Sequence, residues 1–347
     1  MPATQPAVRF CLIGAGRAGY IHAVNLAKRI KSAELVAVCD ADKDAAVRTA
    51  QELDVSRVHT DYNEAVAQQD IDAVVIVTPT FLHCAIACAA AQNGKHIFLE
   101  KPMAITALEC EAINSAAAKQ GVTLQIGFMR RFDQGFLRAK EIIDAGELGR
   151  VMIIKSTGRG PGLPPPWIYD IAKSNGILAE VNSHDFDTVR WMVGSDVARV
   201  YAEAANFKCA DATEEWPQFY DNAVVNMRFQ DGTLGVVDGT CPAHYGYDAR
   251  VEILGEKGML RVGRVDDGGV SQVTLDGSVV SSAVKSWRTL FKDAYLSEME
   301  HFIECINNGT VPRVNGIDGL RAVQAVVASN QSLVSGLPVS IDGAASR

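Results

Sequence analysis

An apolar, β-rich run at residues 8–14 (Val-Arg-Phe-Cys-Leu-Ile-Gly) leads without interruption into Gly14-Ala15-Gly16-Arg17-Ala18-Gly19, and a helical pattern follows over 20–31. A strand, a glycine-spaced turn and a helix in that order leave few folds open. Gly14 permits the tight turn, Gly16 lets backbone approach a pyrophosphate, and Gly19 lets the helix pack against the strand. The helix start offers free N–H groups and a positive dipole end to phosphate. Gly14, Gly16, Arg17, Ala18 and Gly19 are therefore the candidate phosphate contacts. A second strand at 34–39 ends at Asp40, 21 residues after Gly19. That is the offset at which a carboxylate meets the adenosine ribose 2′-hydroxyl. A 2′-phosphate would be repelled there, and no Arg occurs among Ala41, Asp42 and Lys43. NAD is the expected cofactor rather than NADP, with Lys43 the one cation among those neighbours.

The alternation continues with a helix at 45–53, a buried strand at 71–78 and a helix at 82–93 ended by Gly94. A strand at 96–99, a helix at 107–120 ended by Gly121 and a strand at 122–127 complete it. Such β/α alternation over roughly 120 residues predicts an α/β, doubly wound parallel sheet over 1–128, with its ligand crevice at the carboxyl ends of the strands. Thr78, Pro79, His83, Glu100 and Lys101 fall at those ends and are cofactor-contact candidates. His83 either caps its helix or lines the nicotinamide side.

Beyond about residue 130 the pattern changes. Helices are expected at 135–145, 167–175 and 180–193. Strands are expected at 151–158, 199–206, 222–230, 232–240, 247–255, 258–262 and 272–275, and helices at 294–307 and 317–335 close the chain. Turn signals such as Asp231-Gly232 and Asp276-Gly277 separate the strands, as in an antiparallel meander. Residues 129–347 thus read as an α+β substrate-binding and oligomerisation domain on a large, mostly antiparallel open sheet. The strands are apolar enough that an uncovered sheet face would expose a large patch.

Composition narrows the classes. With 347 residues, 48% hydrophobic and 21% charged, the chain is globular and long enough for two domains. A net charge of −8 and the lack of any Lys/Arg run argue against nucleic acid. No apolar stretch is long enough to span a bilayer, and the opening segment has no signal-peptide pattern. The eight cysteines include no Cys-x-x-Cys pair, and the expected setting is a reducing cytoplasm without metal.

Glu100-Lys101-Pro102 at a strand end, with Thr78-Pro79-Thr80-x-x-His83 before it, resembles the Gfo/Idh/MocA oxidoreductases. The likeness extends through Gly127-Phe128-Met129-Arg130-Arg131-Phe132-Asp133, the loop Leu163-Pro164-Pro165-Pro166-Trp167 and the segment from Gly176 to Asp187. Together these are most similar to the inositol 2-dehydrogenase branch. The resemblance implies oxidation of a secondary alcohol on a cyclitol or sugar, with hydride passing to NAD, and a homodimer or homotetramer. Its alternatives are a sugar-modifying enzyme that uses bound NAD transiently and a non-catalytic dinucleotide sensor.

The resemblance also assigns the chemistry. His184 is the expected base, because imidazole titrates near a pKa of about 6.5. Lys101 is placed to stabilise developing alkoxide. Inositol dehydrogenases carry Asp four residues before the catalytic His, where this chain has Glu180. On one helix Glu180 and His184 would share a face, with Glu180 either orienting the ring or binding a substrate hydroxyl. Arg130 binds substrate or anchors its loop, and Trp167 is a further candidate for the substrate pocket. His22 and His301 carry no argument at this level.

Overall fold

The computed structural model describes residues 6–209 and 212–341. The chain forms two compact units, Met1–Phe132 with Asp293–Leu320 and Asp133–Lys292 with Arg321–Arg347.

The first unit is built on strands β1 (Val8–Ile13), β2 (Ala33–Cys39), β3 (Arg57–His59), β4 (Ala73–Ile76), β5 (His96–Glu100) and β6 (Leu124–Gly127). All neighbours are parallel, in the order β3-β2-β1-β4-β5-β6. That order is the doubly wound dinucleotide arrangement, with its switch point between β1 and β4. Every residue of β4 and β6 is buried, as expected of strands covered on both faces. Helices α1 (Arg17–Val24, continued by a π turn at Asn25–Arg29), α2 (Lys43–Glu52), α3 (Tyr62–Val66), α4 (His83–Gln92) and α5 (Ala107–Gln120) connect them. Local chemistry sets their ends. Asp42 caps α2 by accepting from the N–H groups of Asp44 and Ala45, and Thr106 with Glu109 forms a capping box on α5, which stops at left-handed Gly121. Strand β3 and helix α3 were not anticipated, being too short to give a periodic signal.

In the second unit, strands β7 (Val151–Arg159), β8 (Val197–Ala205), β9 (Asn222–Phe229), β10 (Leu234–Thr240), β11 (Asp248–Gly255) and β12 (Gly258–Val262) form a sheet with a later strand, Val339–Ser340. Between them in sequence come β13 (Asp266–Val273) and β14 (Val279–Ala283), which pair only with each other, so Val339–Ser340 is β15. The sheet order is β12-β11-β7-β10-β9-β8-β15, antiparallel except for the β7–β10 pair. The expected strand at 272–275 is thus part of a longer hairpin. Helices α6 (Gln134–Asp144), α7 (Ile171–Ser174), α8 (Gly176–Glu180), α9 (Ser183–Val193), α10 (Ala212–Glu215) and α11 (Trp287–Leu290) belong here, and α12 (Lys292–Asn308) and α13 (Gly316–Ser335) follow.

The outer face of this sheet is mixed in character. Val224, Leu234, Leu254 and Met259 are exposed on it, but Lys155–Glu252 and Arg159–Asp238 ion pairs cross the same face. Helix α12, apart from Lys292, belongs to the first unit although it lies within the 129–347 expected to form the substrate domain. Its apolar residues Met299, Phe302, Ile303 and Ile306, spaced i, i+3, i+4 and i+7, join the core of the first unit with Phe10, Leu12 and Phe98. Phe302 meets the Phe10 and Phe98 rings at 6.2 and 5.8 Å. Each such fully buried side chain contributes about 1.5–3 kcal/mol. The α12 stripe fits any apolar face, so its partner cannot be read from its own spacing.

Candidate dinucleotide-binding and active site

In the first unit, the three glycines of the β1–α1 turn meet different surroundings. Gly14 has φ +104°, and a Cβ there would lie 2.5 Å from the Val77 carbonyl oxygen. A Cβ on Gly19 would fall 1.9 Å from the Gly14 oxygen, whereas one on Gly16 would meet nothing within 4 Å. The first and third glycines are thus demanded by the protein's own backbone, and the second opens free space. Helix α1 begins at Arg17, three residues earlier than the sequence pattern suggested. No side chain caps it and no acid lies in its first turn, so its leading N–H groups suit an anion.

Asp40 stands beside this turn. One carboxylate oxygen accepts the Ala15 N–H at 2.7 Å and the other accepts the Asp42 N–H at 2.9 Å. The acid is therefore fixed against the glycine loop and retains lone pairs for a hydroxyl. At the end of β4, the buried Thr78 hydroxyl has no hydrogen-bond partner. An open glycine, an uncapped helix start, a fixed acid and an orphaned hydroxyl together fit NAD.

His83 is 1% exposed. Its Nδ1 lies 2.8 Å from the Pro102 carbonyl oxygen and its Nε2 2.9 Å from that of Thr78. Burial pushes its pKa down, although both carbonyl contacts oppose that shift. The ring thus clamps the loops after β4 and β5 from beneath. Glu100 is 5% exposed, with Oε1 at 2.7 Å from His22 Nε2 and Oε2 accepting the Lys101 N–H at 3.1 Å. Sequence reasoning passed over His22. The signal was its place three residues after Gly19, on the helix face that packs inward. Lys101 is partly buried after β5, while Arg130 is buried in the 3₁₀ turn Met129–Phe132.

In the second unit, the expected helix 167–175 is a 3₁₀ turn at Pro166–Ile168, carrying a partly buried Trp167, and the short α7. The expected helix 180–193 is broken. Glu180 ends α8 and His184 lies in the first turn of α9, with Val181 and Asn182 separating the two helices. The N–H groups of Val181 and Asn182 both reach the Ile177 carbonyl, so Glu180 and His184 stand on two successive helices rather than on one.

The sheet explains the break. Asn182 Nδ2 donates to the Gly158 carbonyl at 3.1 Å and to Asp185 at 2.9 Å, and Ser156 Oγ donates to Asp185 at 2.5 Å. Gly158 and Gly239 are register partners on β7 and β10. A Cβ on the first would strike Asp185 Oδ2 at 1.9 Å, and one on the second would strike Asn182 Oδ1 at 2.1 Å. Two absent side chains thus make room for the polar anchor that seats the start of α9 on the sheet. His184 follows directly, 6% exposed, and its carbonyl accepts the Thr188 hydroxyl at 2.6 Å.

Residues 8–128 match the oxidoreductase family described as NAD-binding Rossmann fold, and residues 136–261 match the GFO/IDH/MocA C-terminal domain. The chain is a member of the Gfo/Idh/MocA oxidoreductase family. Among its relatives is scyllo-inositol 2-dehydrogenase (NAD(+)) of Bacillus subtilis (strain 168), 35% identical over 335 residues, or 96% of each chain. Myo-inositol 2-dehydrogenase of Thermotoga maritima is 34% identical over 94% of this chain and 96% of its own. The crystal structure of scyllo-inositol dehydrogenase from Lactobacillus casei with bound NAD(H) and scyllo-inositol superposes with a TM-score of 0.88. It is 28% identical and covers 96% of this chain and 99% of that one. Within this family the open Gly16 and the fixed Asp40 belong to the NAD-binding Rossmann domain.

Proposed function

We propose that this chain is an NAD-dependent dehydrogenase that oxidises a secondary alcohol of a cyclitol or sugar, in the manner of inositol 2-dehydrogenases. The observation that carries the proposal is similarity along nearly the whole chain to dehydrogenases named for inositols. Lys101, Glu180 and His184 stand at the motif positions quoted above.

NAD, when bound, supplies the hydride acceptor. Gly16 and the N–H groups at Arg17 and Ala18 would receive its pyrophosphate, Asp40 would accept from its ribose, and Thr78 and Pro79 would contact it at the strand ends. His83 and Glu100 act beneath these groups by holding the loops. His184 removes the hydroxyl proton of the substrate as general base, and the Lys101 ammonium donates to the reacting oxygen as negative charge develops. Glu180 and Trp167 contact substrate, and Arg130 fixes its loop from within. The protein acts as a homodimer or homotetramer through the outer face of the second sheet, where Val224, Leu234, Leu254 and Met259 are exposed. Its eight cysteines are all unpaired, in keeping with a reducing cytoplasm.

The test is absorbance at the reduced-nicotinamide band, with NAD and then NADP, across inositols, hexoses and sugar acids. Growth with NAD and one polyol supports the reading, provided that His184→Ala lowers kcat about 10²–10⁴-fold while NAD still binds. Silence across the panel despite NAD binding overturns it in favour of a non-redox enzyme or a sensor.

A further inference from the structure

Three ionisable side chains with no direct part in that reaction meet inside the first unit. His22 on α1, Glu100 at the end of β5 and Glu298 on α12 bring their polar atoms within 4.8 Å of one another. His22 and Glu298 are fully buried. Both oxygens of Glu100 are engaged, one by His22 Nε2 at 2.7 Å and the other by the Lys101 N–H at 3.1 Å. Neither carboxyl oxygen of Glu298 has a hydrogen-bond partner, and neither does His22 Nδ1. The Phe98 and Tyr295 rings flank His22 at 5.0 and 5.5 Å. A Cβ on Gly127 would crowd the Glu100 carboxyl at 3.0 Å.

Two buried carboxylates at this separation cannot both be ionised without a counter-charge. His22 Nδ1 has no acceptor, so the neutral ring with its proton on Nε2 fits the site and donates to Glu100. The acceptor of that bond is then the ionised carboxylate, and the remaining proton belongs on Glu298. A metal fits the donor set less well, because two ligands of a tetrahedral ion bound at about 2 Å lie roughly 3.3 Å apart. The 2.7 Å between His22 and Glu100 is the length of a hydrogen bond.

We propose that His22, Glu100 and Glu298 form a positioning unit for Lys101, in which an ionised Glu100 is fixed by His22 and grips the Lys101 backbone beside a neutral Glu298. The unit joins the helix that receives the pyrophosphate to the strand end that carries the lysine, with α12 closing it from behind. Burial, reinforced by the charge on Glu100, holds the Glu298 carboxyl well above the usual range. The groups facing it are Glu100 from β5, His22 from α1 and the uncharged Gln125 from β6, whose Nε2 donates to the Glu298 carbonyl at 2.7 Å. Tyr295 lies one turn earlier on α12 itself.

The test has two arms, and only the second rests on the dehydrogenase reading. In the first, thermal unfolding of wild type and Glu298→Gln is followed from about pH 5 to about pH 8. The folded state holds a proton that the unfolded state releases above pH ~4.5, so wild type loses stability as pH rises through this window. The glutamine variant escapes that loss, and its Tm should gain steadily on wild type; parallel curves would overturn the proposal. In the second arm, His22→Ala should lower kcat about tenfold with the KM for NAD unchanged, because Glu100 loses the donor that fixes it against the Lys101 N–H. His22→Gln, which keeps a donor, should restore most of kcat. A His22→Ala variant that loses Tm alone, with kcat unmoved, would sink the link to Lys101. If that variant does not fold, Glu298→Gln decides. Should neither variant nor wild type show activity while the first arm succeeds, the dehydrogenase reading has failed and the cluster has not.

Discussion

Both units use missing side chains to let groups approach closely, but they fill the resulting space differently. At the β1–α1 turn, Gly14 and Gly19 are packed against backbone, and Gly16 faces emptiness. At the α8–α9 junction, the space above Gly158 and Gly239 is occupied by Asp185 and Asn182 of the same chain. Glycine-made space that the protein fills is a device for positioning its own groups. Space that it leaves open beside an uncapped helix start is a place for a ligand.

This difference can be broken most severely at Gly19. Gly19→Ala drives a methyl to 1.9 Å from a backbone oxygen that cannot swing aside. The cost should exceed the ~1–3 kcal/mol typical of overpacking, read as a large fall in Tm or as loss of soluble protein. Gly158→Ala comes next. Its methyl meets the end of a side chain, which can move only by abandoning Ser156 and Asn182. A loss of about 1–3 kcal/mol in stability is expected. Turnover should fall by about tenfold or more because the first turn of α9 shifts, with NAD affinity unchanged by fluorescence titration. Unchanged turnover would mean that the junction does not position His184.

How much was legible in advance follows the same division. The turn at 14–19 and the acid at Asp40 are a local sequence pattern, because strand, glycines, helix and acid are all set within about 35 consecutive residues. The break between Glu180 and His184 was not legible. It depends on Asn182 finding two glycines on β7 and β10 that are paired only after the sheet forms. The membership of α12 in the first core was hidden likewise, since Phe302 and Phe10 are separated by almost the whole chain. The burial of Glu298 is also set by β5 and α1, which are distant from it in the chain.

Gly16→Ala should be milder and of the opposite kind. Gly16 has φ −72° and ψ −171°, an extended conformation open to alanine, and nothing in the protein obstructs the methyl. Stability should hold or rise by about 0.4–1 kcal/mol, because the unfolded chain loses freedom. NAD affinity should nevertheless fall by about tenfold, since the methyl occupies the approach of the pyrophosphate. A variant that binds NAD normally would show that the open space is not the phosphate cradle.

Asp40→Ala is expected to have an effect no larger, and it separates two roles of one carboxylate. Its oxygens hold the Ala15 and Asp42 N–H groups, so some loss of NAD affinity would follow from a loosened loop alone. A loosened loop would weaken NAD and NADP alike. Removing a negative charge from beside the ribose should instead weaken NAD by about tenfold (~1.4 kcal/mol) while leaving NADP unchanged or tighter. The ratio of the two dissociation constants therefore isolates the charge from the loop, and equal weakening of both would assign Asp40 to the turn and leave the choice of cofactor to another residue.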